Sequence, residues 1–148
     1  MWQRGPVREP ADDPRDRPGG APAGDLYDWF RRGTELLERG DAGAAAELLT
    51  RAGAAEPGSA SIQEALARAL YDAGRYADAA DGFRRLVALR PDDDYGRFGL
   101  GLSLTRLDRW DEAVDQLSLA VAMRPGRAEY AQALRHARAT LRARERPD

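Results

Sequence analysis

The chain has 148 residues, a formal net charge of −2, 43% hydrophobic residues and 32% charged residues. That is the balance of an ordinary globular protein long enough to build a core. It excludes a global field that would draw the whole molecule onto nucleic acid or an anionic membrane. There is no Cys, which rules out disulfides, zinc–thiolate sites and a thiol nucleophile. No apolar run approaches the ~20 residues that span a bilayer. The start, MWQRGPVREP, lacks the apolar core of a secretory signal, so the expected location is the cytoplasm. Every strongly basic residue is Arg, with Lys and Asn absent. With abundant Ala, Gly, Pro and Asp, that bias points to a GC-rich bacterial genome.

Residues 1–24 hold five of the nine prolines and four glycines but few apolar side chains. Such a segment buries too little surface to offset its ordering entropy, and a disordered arm is expected. From Asp25 onward the apolar period is helical. Leu26, Trp29, Phe30, Leu36 and Leu37 recur on one face over 26–39. Gly40 stops that helix and Asp41 starts the next, over 42–55, which Pro57-Gly58 breaks. The same order then returns. Helices are predicted over 61–73 and 76–89 around the turn Gly74-Arg75, then over 94–107 and 110–123 before Pro125-Gly126, with a last one over 128–144.

Pro57, Pro91 and Pro125 stand 34 residues apart, and so do Asp25, Ser59 and Asp93. The prolines end each second helix. The other three are the expected N-caps of each first helix, able to accept from its free N–H groups. Small residues keep the same phase, Gly33, Ala67 and Gly101 in the first helices and Ala45, Ala79 and Ala113 in the second. Leu36, Leu70 and Leu104, then Leu49, Phe83 and Leu117, fill the remaining in-phase apolar positions.

This period and content resemble the tetratricopeptide repeat family. The resemblance covers about 25–125, with repeats near 26–59, 60–93 and 94–127 and a capping helix near 128–145. It implies an all-α fold, a right-handed superhelical array of antiparallel helix pairs. Repeats of this kind are stable only when stacked. The small residues would sit where paired helices cross, and Ala52, Leu86 and Ala120 would face the following repeat. Two positions depart from the pattern. The fourth is Trp29, then Gln63, then Arg97, and the seventh is Arg32 before Leu66 and Leu100.

In this family the first helices line a concave groove. The resemblance therefore implies groove positions at Tyr27, Phe30, Thr34, Leu37 and Glu38, then Ser61, Glu64, Arg68, Tyr71 and Asp72. The third repeat would add Tyr95, Phe98, Leu102, Thr105 and Arg106, and the cap Glu129, Gln132 and His136. Aromatic and Arg side chains most often anchor interfaces. The expected occupant is a protein or peptide segment, its apolar groups on Tyr27, Phe30, Tyr95 and Phe98 and a carboxylate on Arg68 and Arg106. The competing expectation is that these rings pack between neighbouring first helices. Some family members grip a C-terminal carboxylate with Lys and Asn, residue types absent here.

Catalytic chemistry finds no foothold in the sequence. His136 is the only histidine, and Ser59, Ser61, Ser103 and Ser118 have no base in any recognisable motif. Asp92-Asp93-Asp94 follows a helix-ending Pro and suits a cap and first turn. Ca²⁺ would need about six or more oxygens from a shaped loop. The chain is expected to be non-catalytic, with no cofactor or metal. Charge is unevenly spread, with 0 over 1–24, −6 over 25–123 and +4 over 124–148. A homo-oligomer, the basic tail of one copy meeting the acidic body of another, is the second reading. Nucleic acid on the Arg-rich last helix is the third, set back by the lack of interleaved aromatics. Gly96 and Gly99 weaken their helix by about 1 kcal/mol each. They are expected to be neutral drift or to leave room for a ligand backbone.

Overall fold

The computed structural model describes residues 23–146, so the arm expected over 1–24 lies almost wholly outside the described residues. Seven α-helices and no strand occur among the described residues. They divide into two compact units that meet in sequence between Arg75 and Tyr76.

The first unit contains α1 (Ala23–Glu38), α2 (Ala42–Ala55) and α3 (Ala60–Asp72). Helix α1 starts at Ala23, three residues before the expected start at Leu26. Asp25 therefore does not cap it but stands in its first turn, where the helix dipole favours a carboxylate. The caps of α2 and α3 follow expectation. Asp41 accepts from the Ala44 N–H at 3.4 Å and Ser59 from the Ile62 N–H at 3.3 Å. Helix α2 packs against both α1 and α3. Phe30, Leu37, Leu49, Ile62 and Leu70 are buried. The α1–α2 crossing depends on Gly33, since a methyl group there would stand 2.7 Å from Leu49 Cγ.

The second unit contains α4 (Tyr76–Leu89), α5 (Asp94–Arg106), α6 (Trp110–Met123) and α7 (Ala128–Glu145). Helix α5 packs against both α4 and α6, and α7 against α6. Asp93, itself buried, caps α5 by accepting from the Gly96 N–H at 3.0 Å. The Gly101 approach repeats that of Gly33, with an added methyl 2.6 Å from Leu117 Cγ.

Gly96 and Gly99 are neither drift nor ligand room. A methyl on Gly99 would meet Phe83 Cε1 at 2.3 Å, and one on Gly96 would meet Leu86 and Val87 at 3.2 Å. Helix α5 is glycine-rich because it lies close to a neighbour on two sides. The buried Ser103 hydroxyl donates to the Gly99 carbonyl at 2.8 Å, so it leaves no unsatisfied polar atom there.

The 34-residue period is written into the backbone as well. After each first helix the chain turns through a left-handed residue, Gly40 (φ 86°), Gly74 (φ 79°) and Asp108 (φ 58°). The next N–H then reaches back to Leu36, Leu70 and Leu104 respectively, at 2.8, 2.9 and 3.0 Å. This is the helix-ending pattern that glycine favours and Asp tolerates. The fourth-position departures also have a role. Gln63 donates to the Pro57 carbonyl and Arg97 to the Pro91 carbonyl, each at 3.4 Å. In two repeats a polar side chain thus fastens the turn that the proline begins.

Candidate functional site

The residues expected to face a ligand lie on the first helices, and the two units present them separately. In the first unit, α1 and α3 carry them. Phe30 is 2% exposed and Tyr71 5%, and Leu37 and Glu64 are likewise buried. Tyr27, Thr34, Ser61 and Arg68 are half-buried, and Glu38 and Asp72 are exposed. Thr34 donates its hydroxyl to the Arg31 carbonyl at 2.9 Å. Apart from half-buried Tyr27, the open face of these two helices is polar and charged, and the Phe30 and Tyr71 rings lie behind it.

In the second unit the same division holds on α5. Tyr95 is 1% and Phe98 3% exposed, while Leu102 and Thr105 are half-buried and Arg106 is exposed. Phe98 packs on Tyr130 of α7, ring centroids 4.5 Å apart and tilted by 32°. That ring therefore lies between neighbouring first helices, the alternative the sequence left open. The Tyr130 hydroxyl donates to Asp94 Oδ2 at 2.7 Å, and Arg124 pairs with the same carboxylate at 3.6 Å. Asp94 thus links three elements, and Asp93 is a cap. The Asp92–Asp94 run is structural, and among the described residues no group of three metal-ligating side chains forms.

Arg106 is held over the Tyr76 ring, its guanidinium carbon 5.4 Å from the centroid. A cation placed over an aromatic face gains electrostatic attraction, which orients it. Half-buried Leu102 lies one turn before Arg106, with Thr105 beside it, its hydroxyl donated to the Leu102 carbonyl at 2.7 Å. The face therefore offers an apolar contact and an oriented positive charge about 6 Å apart along the helix.

The expected cap contributions scatter. Glu129 pairs with Arg127 at 3.0 Å and Gln132 is exposed. His136 lies edge-on to Trp110 of α6, centroids 5.9 Å apart. Arg144 is stacked 5.7 Å from the same Trp110 ring and pairs with Asp108 at 3.3 Å. Sequence spacing did not reveal the Tyr130–Asp94, Arg106–Tyr76 or Arg144–Asp108 links. Each joins residues at least 30 positions apart that no short-range period relates.

With helix pairs, in-phase crossings and recurring turns in place, the class is a helical repeat protein. The tetratricopeptide repeat family model matches residues 30–94 and 65–128, and the chain belongs to that family. Superkiller complex protein 3 from Mus musculus is 31% identical over 107 residues, which cover 72% of this chain but 7% of the relative's length. The first TPR of Spaghetti (RPAP3), solved bound to the HSP90 peptide SRMEEVD, superposes with a TM-score of 0.74 at 19% identity. That match covers 80% of this chain and 94% of the other. MamA (MSR-1) gives a TM-score of 0.74 at 25% identity over 82% of this chain and 70% of its own.

Proposed function

We propose that the chain is a non-catalytic interaction scaffold that binds an extended peptide segment of another protein along the exposed side of its first helices. The observation that carries this reading is the pair on α5, half-buried Leu102 and Arg106 oriented by Tyr76. An apolar contact beside a fixed guanidinium suits a peptide with an apolar residue near a carboxylate. The peptide-bound RPAP3 domain, alike in fold, supports the general mode of binding. It does not transfer the HSP90 peptide, because this chain has no Lys or Asn. On α3, Arg68 with the neighbouring Asp72 offers a second charged contact in the other unit.

The rings expected as anchors enter this reading as support behind the surface. Replacing Phe98 or Tyr95 would hollow the core, so binding is better tested at Leu102→Ala/Arg106→Ala. Selection from a displayed peptide library against the wild-type protein should enrich one family of sequences. The double variant, folded as judged by circular dichroism, should bind those peptides about tenfold or more weakly. Equal binding by the double variant would reject this face.

A further inference from the structure

The repeat register exposes a second surface on α7. Arg135 falls 34 residues after Gly101, and Arg138 falls 34 after Leu104. On α5, the Gly101 face is the one that α6 covers, with Leu117 pressed against the glycine. On α7, no described helix covers the equivalent face. Where earlier first helices turn back at Gly40, Gly74 and Asp108, α7 carries Arg142 and continues to Glu145.

Arg135, Arg138 and Arg142 are all exposed and make no ion pair with any described residue. Helical geometry sets them on one stripe about 10 Å long. Their neighbours differ, since Arg124, Arg127 and Arg144 are each paired to a carboxylate. The stripe thus presents three unneutralised guanidinium groups on a face that no described helix covers. Side chains as large as Arg at the crossing position keep out a close-packed apolar helix. They suit one that brings carboxylates, which the guanidinium fork binds in bidentate fashion.

We propose that this face of α7 docks an acidic α-helix of a partner protein, with carboxylates spaced at i, i+4 and i+7. A nucleic-acid strand fits less well. The stripe has no aromatic side chain for base stacking, as Tyr130 is buried and bonded to Asp94. The surface is separate from the Leu102–Arg106 face, so either site can fail without the other.

The test is fluorescence anisotropy with the full chain and a labelled alanine-based helical peptide bearing glutamates at i, i+4 and i+7. Its glutamine counterpart and a single-stranded oligothymidine serve as competing probes. The glutamate peptide should bind, and raising salt from about 50 to about 300 mM should weaken it severalfold because exposed charges are screened. Arg135→Glu/Arg138→Glu/Arg142→Glu should lower its affinity about tenfold or more. The milder Arg→Gln triple should show the same direction if the reversal disturbs folding. Leu102→Ala/Arg106→Ala should leave this binding unchanged. Equal affinity for the glutamine peptide, tighter binding of the oligothymidine, or no loss in either triple variant would overturn the proposal. So would a salt-sensitive dimer in sedimentation that the triple variants abolish, since the occupant would then be a second copy.

Discussion

Replacing Gly99 by Ala tests the packing of the second unit at its tightest place. The added methyl would lie 2.3, 2.4 and 2.7 Å from Cε1, Cζ and Cδ1 of Phe83. Carbon atoms rest about 3.5–4.0 Å apart, so the overlap exceeds ~1 Å. Phe83 is fully buried, so α4 and α5 must separate or the ring must leave its rotamer. Overpacking of this kind costs about 1–3 kcal/mol. Ala in place of Gly returns about 1 kcal/mol of helix propensity. With so deep an overlap, the net loss should be about 1–2 kcal/mol, a fall in melting temperature of roughly 3–8 °C. Gly43 is the control. It lies in α2, is exposed, and a methyl there meets nothing within 4 Å. Gly43→Ala should therefore stabilise by about 0.5–1 kcal/mol. Thermal melts and urea titrations of both variants give the two signs. Adding Phe83→Leu to Gly99→Ala should recover part of the loss, with a coupling of about 0.5 kcal/mol or more. A Gly99→Ala protein as stable as wild type, or strict additivity with Phe83→Leu, would refute the contact as the reason for glycine.

Other outcomes follow from the same packing. Tyr130→Phe removes the bond to Asp94 and leaves a mostly buried carboxylate short of a donor, so stability should fall by about 1–2 kcal/mol in urea with the slope unchanged. Asp93→Ala should cost about 1 kcal/mol, and Asp41→Ala less, since the Asp41 bond is longer and exposed. Equal losses would contradict the geometric ranking. Asp108→Gly relieves a left-handed backbone but loses an exposed pair with Arg144. The first effect, about 1 kcal/mol, exceeds the second, and the melting temperature should rise. Removing residues 128–148 uncovers Phe98 and the side of α6 that packs on α7, and the shortened chain should aggregate. A monomeric, cooperatively melting product would defeat that expectation.

The sequence by itself determined the helices, their turns and the phase of the repeat. These depend on local rules that a 34-residue recurrence makes plain: proline cannot continue a helix, glycine turns it, a short polar side chain caps it, and a small residue marks a crossing. Asp25 shows where such rules give way, since the helix it was to cap begins earlier and absorbs it. Position in a repeat told which residues share a face, but it could not tell how much of that face stays open. Tyr95 and Phe98 share the expected face of α5 with Leu102 and Arg106, yet the rings are buried. Large apolar rings gain more by packing on a neighbouring helix than by meeting water. Which side chains meet across sequence was likewise decided only by tertiary structure. The link of Tyr130 to Asp94, the stacking of Arg106 on Tyr76 and the closeness of Gly99 to Phe83 arise when whole helices come together, and no local pattern encodes the distances between them.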